Sequence, residues 1–358
     1  MNITIIGTGN VGCTLAADLI HKGHRVSLLR SSGSSHTANF NYLAEHHTLR
    51  VTDTDSATFE ARVDHVFDRD FQTALSNAEL IIFAIQTNYH EDVIKRIVPF
   101  LKDGQAILFE PGYLSTSYLL KHSNKSILSI EAESSPIDCR ITEPGHTTVL
   151  FRNVLNPFGV FPLQGKDRAA KILEGLGYPF RFTRNVVEAA LHNPNLIVHT
   201  VGALFSIPRI EYTRGEYWMY KEVFTPHVWT VCESLDQEKI AILNSLGVTD
   251  SLCYVEACQE RNFINDTRTP LESFFDYALN SSPKGPSIPD SRYLTEDISQ
   301  GLVMLESLGK VLGVQTPTAS SLITLASVAM ERDFRKEGRT VDALGVENIR
   351  MILDDYRH

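Results

Sequence analysis

Several kinds of protein are excluded by what the sequence lacks. Its five cysteines (Cys13, Cys139, Cys232, Cys253 and Cys258) are odd in number, and no two stand at C-x-x-C spacing. Neither a disulfide framework nor a zinc site is therefore expected, and reduced thiols in a cytoplasmic protein are the simplest reading. No stretch approaches the roughly 18 to 20 apolar residues of a membrane helix. The first apolar run, at Ile3, has no basic leader and is soon broken by glycine, so no secretory signal is expected. Long basic runs are also missing. With a formal net charge of -10, nucleic acid and anionic membrane are not expected as partners. There is no internal repeat and no low-complexity segment.

What is present belongs to a globular protein. Hydrophobic residues make up 43% and charged residues 21% of the 358 positions, enough apolar surface for packed cores and too many residues for one. Ile3-Thr4-Ile5-Ile6 reads as a buried strand ending at Gly7. From Val11, the residues Leu15, Ala16, Leu19 and Ile20 share one helical face, and Gly23 stands where a helix ends. Val26-Ser27-Leu28-Leu29 follows as a second strand. The alternation goes on with a strand at 80–85, a helix near 90–101, a strand at 106–109 and apolar runs at 127–130 and 148–151. This pattern predicts an α/β Rossmann domain over residues 1–185 with a mostly parallel sheet. After Asn185 strand signals become scarce. Helical periodicity over 186–206, 217–246, 294–313 and 316–332 predicts an all-helical domain spanning 186–358.

Gly7-Thr8-Gly9-Asn10-Val11-Gly12 fits G-x-G-x-x-G between a strand and an amphipathic helix. The glycines permit a tight turn, close approach to a diphosphate and close helix–strand packing, while the helix N-terminus attracts the anion. A dinucleotide site on these six residues is the expectation. An acid at the end of the second strand would bind the ribose hydroxyls of NAD. Here Arg30-Ser31-Ser32 stands instead. Arg30 and Ser31 suit a 2′-phosphate, so NADP is expected ahead of NAD, unless Arg30 is merely a solvated surface residue.

In the second half, Asn193-Pro194 marks either a helix N-terminus or a kink. Asn195 and His199, four apart, share a face. His199 lies in an apolar helix, where a hydrogen-bonded core histidine is the competing reading to a general acid or base. Arg292-Tyr293-Leu294-Thr295-Glu296-Asp297 precedes a helix running on through Leu302 and Leu305. Capping by Thr295 and its neighbours accounts for Glu296 and Asp297 but not for Arg292. Asp333 to Thr340 reads as a solvated, mixed-charge helix end.

Taken together these segments resemble the opine dehydrogenases, over nearly the whole chain. The glycine turn is similar to the family's first motif. Asn195-Leu196-Ile197-Val198-His199 matches its N-x-x-x-H signature, and Gly285-Pro286 followed by Arg292-Tyr293-Leu294-Thr295-Glu296-Asp297 resembles its G-P…R-Y-x-x-E-D segment. The Asp333–Thr340 stretch resembles one in the bacterial members. The resemblance implies reductive condensation of an amino acid with a 2-oxo acid such as pyruvate, through an imine reduced by hydride. It implies His199 as catalytic acid/base, Asp297 as the carboxylate orienting it, Arg292 as the cation near the oxo-acid carboxylate, and Asn195 as a substrate-binding residue. Bacterial members often carry an acid after the second strand, and Arg30 departs from that. Glu131-Ala132-Glu133-Ser134-Ser135 is only loosely similar to the family's glutamate- and serine-bearing loop.

Two alternatives stand beside this reading. Ketopantoate reductases and other 2-hydroxy acid dehydrogenases share the architecture but use a helical-domain lysine, and no lysine lies between Asn193 and Pro208. A cofactor-sensing protein would keep the glycine turn and perform no chemistry. The active site is expected between the domains, with small-molecule substrates and no metal. A homodimer is the expected assembly, specified by no motif.

Overall fold

The computed structural model describes residues 1–33 and 35–356. Twelve strands fall in the first half: β1 (Asn2–Ile6), β2 (Arg25–Arg30), β3 (Thr48–Thr52), β4 (Thr58–Arg62), β5 (His65–Asp68), β6 (Leu80–Phe83), β7 (Ala106–Phe109), β8 (Leu128–Ala132), β9 (Ile137–Glu143), β10 (His146–Arg152), β11 (Asn156–Phe161) and β12 (Phe180–Phe182). Eight form one sheet in the order β12-β11-β8-β7-β6-β1-β2-β5. All neighbours are parallel except β11 and β8, which run antiparallel with Phe158 opposite Ala132. The expected mostly parallel Rossmann sheet is thus present. β6 and β7 are buried at every position, as continuous Leu/Ile/Phe runs covered on both faces must be.

One polar residue inside this sheet is fully compensated. Glu131 on β8 accepts the backbone N–H groups of Leu114 at 2.9 Å and Thr116 at 2.7 Å, capping the Ser115–His122 helix.

The expected single sheet is incomplete as a description. Thr148–Phe151 lies on β10, in a separate four-stranded sheet ordered β4-β3-β10-β9. This small sheet packs on helix α1 (Asn10–His21). The Thr14 hydroxyl bonds Thr147 at 3.0 Å, and the Asn10 side chain accepts Ile141 N–H at 2.9 Å. α1 therefore has a sheet on either side, which holds its N-terminus fixed.

The chain divides into two compact units. One is Met1–Ala189 with the described residues from Asp354 onward, and the other is Ala190–Leu353. The second unit is helical throughout its regular structure among the described residues. Its longer helices are Asn195–Thr213, Pro226–Ser245, Tyr254–Phe263, Pro270–Asn280, Val303–Leu312 and Pro317–Ala329. Three start on proline, whose missing N–H costs nothing at that position. The helices at 254–263 and 270–280 were not foreseen from the sequence.

Glu110 follows β7 at 5% exposure, and its Oε2 has no hydrogen-bond partner. Burial pushes its carboxyl well above the usual range. The folded state then holds a proton that the unfolded chain releases near pH 4.3, so this group's contribution to stability is lost as pH rises beyond that value. Glu110→Gln should flatten the fall in Tm between pH 5 and pH 8, as read by calorimetry. An unchanged slope would contradict a protonated Glu110.

Candidate active site

The glycine turn connects β1 to α1, and space requires glycine at positions 7 and 12. Gly7 has φ +130°, and a Cβ there would lie 2.3 Å from the Ala84 carbonyl oxygen. A Cβ on Gly12 would lie 2.1 Å from the Gly7 oxygen, so helix and turn could not close together. A Cβ on Gly9 would press on the His36 ring at 3.3 Å. Gly9 is also the N-cap of α1, and no side chain caps that end. Its first N–H groups are left for an anion, which fits a dinucleotide diphosphate. Thr8 and Asn10 have structural duties: the Thr8 carbonyl accepts Asn39 Nδ2 at 2.9 Å, and Asn10 anchors β9. Val11 is half-buried against the core of the unit.

Arg30 closes β2 and is not a free surface residue. It stacks on Phe40 with the guanidinium 3.7 Å from the ring centroid. It also grips Asp68 in two-point fashion, at 3.0 and 2.7 Å. Asp68 ends β5, directly opposite Arg30 in the parallel register. Arg69 binds the same carboxylate at 2.9 and 3.0 Å. The Arg30 and Arg69 guanidiniums hold the Asp68 carboxyl far below its ordinary range. Ser31 is buried, and its carbonyl accepts Arg96 at 2.7 Å. Asp68 and Arg69 were not singled out from the sequence. Only sheet pairing, 38 residues downstream, reveals them.

In the helical unit, Pro194 precedes the Asn195–Thr213 helix, and the Asn193 side chain accepts Asn195 N–H at 3.0 Å. Asn193 thus acts at a helix start, and the preceding helix has already ended at Leu191. Asn195 is half-buried in the first turn, one turn before His199. His199 is 5% exposed, and its Nδ1 lies 2.8 Å from Asp297 Oδ2. A carboxylate can only accept, so Nδ1 carries the hydrogen. The Tyr293 ring stacks on the imidazole, with centroids 3.6 Å apart and planes 7° from parallel. These two contacts fix both the plane and the tautomer of the ring.

Asp297 opens a π-helical turn, Asp297–Leu302, placed between the short Arg292–Thr295 helix and the Val303–Leu312 helix. Such wide turns are uncommon and often occur at functional positions. The expected cap at Thr295 is not there: its hydroxyl bonds back to Ser291 O at 3.1 Å, within the helix. Arg292 is exposed at the first position of its helix. The structure therefore brings together His199, Asp297 and Tyr293. Tyr293 belongs to the Arg-Tyr motif but was given no role from the sequence. No metal-binding cluster occurs among the described residues, and no helix there is long and apolar enough to cross a membrane.

Comparison with known proteins gives the same assignment. Residues 183–330 match the NAD/NADP octopine/nopaline dehydrogenase alpha-helical domain, and residues 2–113 match the NAD-dependent glycerol-3-phosphate dehydrogenase N-terminus. An opine dehydrogenase from Arthrobacter sp. (strain 1C) is 27% identical over 78% of this chain and 79% of its own length. The structure of octopine dehydrogenase in complex with NADH and agmatine superposes with a TM-score of 0.77 at 18% identity, over 99% of this chain and 98% of that one. NADP+-bound yersinopine dehydrogenase gives 0.74 at 16% identity, over 100% and 99%.

Gly12→Ala should weaken NADPH binding at least tenfold, about 1.4 kcal/mol, in a fluorescence titration. Unchanged affinity would mean that the turn does not hold the diphosphate. Sequence, fold and relatives agree on an NAD(P)-dependent oxidoreductase that is similar to the opine dehydrogenases, with an octopine/nopaline dehydrogenase alpha-helical domain over residues 183–330.

Proposed function

We propose that the enzyme joins the amino group of an amino acid to a 2-oxo acid, with pyruvate as the simplest candidate, and reduces the resulting imine with NADPH. The observation that supports this most is the buried His199–Asp297 pair under Tyr293. In the condensation, the amine nitrogen attacks the carbonyl carbon and water leaves the carbinolamine. His199 as imidazolium protonates the departing oxygen, and as neutral imidazole it takes up the proton that resets the site. Asp297 keeps Nδ1 protonated and stabilises the imidazolium, so proton exchange is confined to Nε2. Arg292, exposed and five residues before Asp297, has the fork geometry to hold the oxo-acid carboxylate. Asn195, one turn before His199, offers a carboxamide to the same substrate. When bound, the nicotinamide supplies the hydride that reduces the carbon–nitrogen double bond, giving a secondary amine dicarboxylate.

The preference for NADPH rests on the end of β2. Arg30 and Arg69 share one carboxylate and Arg96 holds the Ser31 carbonyl, which leaves positive charge in excess beside Ser31. A 2′-phosphate would satisfy it with two-point hydrogen bonds, whereas a hydroxyl would not. The 2-hydroxy acid dehydrogenase alternative needs an available lysine. The buried Lys239 of the helical unit is held by Asp236 at 2.6 Å and by the Leu252 carbonyl at 3.3 Å.

Three outcomes test this reading. NADPH oxidation should require both an amine and a 2-oxo acid, and oxidation with pyruvate alone would favour the hydroxy acid alternative. His199→Ala should lower kcat by about 100-fold or more while NADPH still binds, as a general acid/base would; equal loss of binding would make the histidine structural. Arg30→Ala should weaken 2′,5′-ADP at least tenfold, about 1.4 kcal/mol, and leave 5′-AMP nearly unchanged. Equal effects on both ligands would contradict a 2′-phosphate role.

A further inference from the structure

The Asp333–Thr340 stretch, expected from its sequence to be a solvated helix end, is one only in part: Asp333, Arg335, Lys336 and Glu337 are exposed, but Phe334, Gly338 and Arg339 are buried. Arg339 is 0% exposed and is the largest fully buried side chain in the chain's described part. A guanidinium so far from water must be closely hydrogen-bonded, because an unpaired buried charge is strongly destabilising. What it holds is the π-helical turn. Arg339 Nε donates to Gln300 Oε1 at 2.7 Å, and its backbone N–H donates to the Ser299 carbonyl at 2.9 Å. Gln300 Nε2 in turn donates to Ser299 Oγ at 2.8 Å, and that hydroxyl donates to Thr295 O at 2.7 Å. The preceding residue makes the approach possible. A Cβ on Gly338 would lie 2.5 Å from Ser299 O, 2.7 Å from Phe334 O and 2.7 Å from Val303 Cγ1, so no side chain fits there. The strand of chain that follows is pinned as well, by Val341 N–H to Ser307 Oγ at 2.9 Å and by Thr340 capping Ala343.

Ser299 and Gln300 are the third and fourth residues of the turn whose first residue is Asp297. A regular α-helix would rotate the Asp297 carboxylate away from its present direction by a fraction of a turn, because one residue fewer would be accommodated. We infer that Arg339 is a positioning residue: by gripping Gln300 and the Ser299 carbonyl it keeps the π-helical turn open, and the open turn presents Asp297 to His199 Nδ1. The inference rests on the proposed acid/base role of the His199–Asp297 pair.

Steady-state kinetics of Arg339→Met, Arg339→Lys and Asp297→Asn, alone and combined, test it, with melting curves to establish folding. Arg339→Met should lose on the order of 10- to 100-fold in kcat, as removal of outer partners of catalytic histidines does, with KM for NADPH unchanged. A displaced carboxylate no longer favours the imidazolium, so the alkaline limb of the forward reaction should move to lower pH. Arg339→Lys should recover part of both. In the Asp297→Asn background, Arg339→Met should cost less than about twofold more, since residues acting through one another are not additive. Folded Arg339 variants with the wild-type rate and pH limb, or losses that multiply in the double variant, would overturn the inference while leaving Asp297 in place. An Asp297→Asn enzyme with unaltered kcat would overturn the acid/base reading itself and this inference with it. Where Arg339→Met does not fold, Gln300→Met removes the Arg339 Nε–Gln300 Oε1 and Gln300 Nε2–Ser299 Oγ bonds while Arg339 stays in place, and is read in the same way.

Discussion

A carboxylate and an imidazole, both almost wholly out of water, face one another across 2.8 Å in the helical unit. Neither group is stable there alone. A buried carboxylate demands donors, and a buried imidazole demands a partner that settles which nitrogen carries its hydrogen. The bond between them serves both demands, and in the proposed chemistry Nε2 is the site of proton exchange. Much of the surrounding architecture can be understood as support for that bond. Tyr293 fixes the plane of the ring, Pro194 and Asn193 start the helix that carries it, and the π-helical turn aims the acid. Such a site is held by the residues behind it as much as by those in it.

The first unit solves a different problem, that of approaching a polyanion closely without a lysine cradle. Its means are steric and dipolar: glycines where a Cβ would collide with backbone, and a helix end with no side-chain cap. Packing of α1 between two sheets keeps that end from moving. At the far end of β2 the logic becomes electrostatic. Two guanidiniums are held on one aspartate, and in the proposed binding of a 2′-phosphate such pre-ordered side chains would lose little freedom.

The parts legible in the sequence were those with strong local periodicity. The Ile3–Ile6 run, the glycine turn and the amphipathic face of α1 each dictate their own structure. The small sheet was hidden because Thr48–Thr52 and Thr58–Arg62 are short and polar on their exposed positions, too weak a pattern to separate from loop. His199 and Asp297 lie 98 residues apart, and no spacing rule joins them; only the family resemblance did. Asp68 and Arg69 could be found only through sheet register, and the burial of Arg339 only through tertiary packing. A charged stretch flanked by Asp333, Lys336 and Glu337 gives no local hint that one of its arginines points inward.

The proposed chemistry requires the Nε2 atom of His199 to meet substrate. A crystal structure of the enzyme with NADPH and pyruvate, without amine, measures this directly. The pyruvate carbonyl oxygen should lie within about 2.6 to 3.2 Å of Nε2, with Asp297 still bonded to Nδ1. Pyruvate bound out of reach of that nitrogen, or an imidazole turned away from Asp297 in the complex, would contradict it.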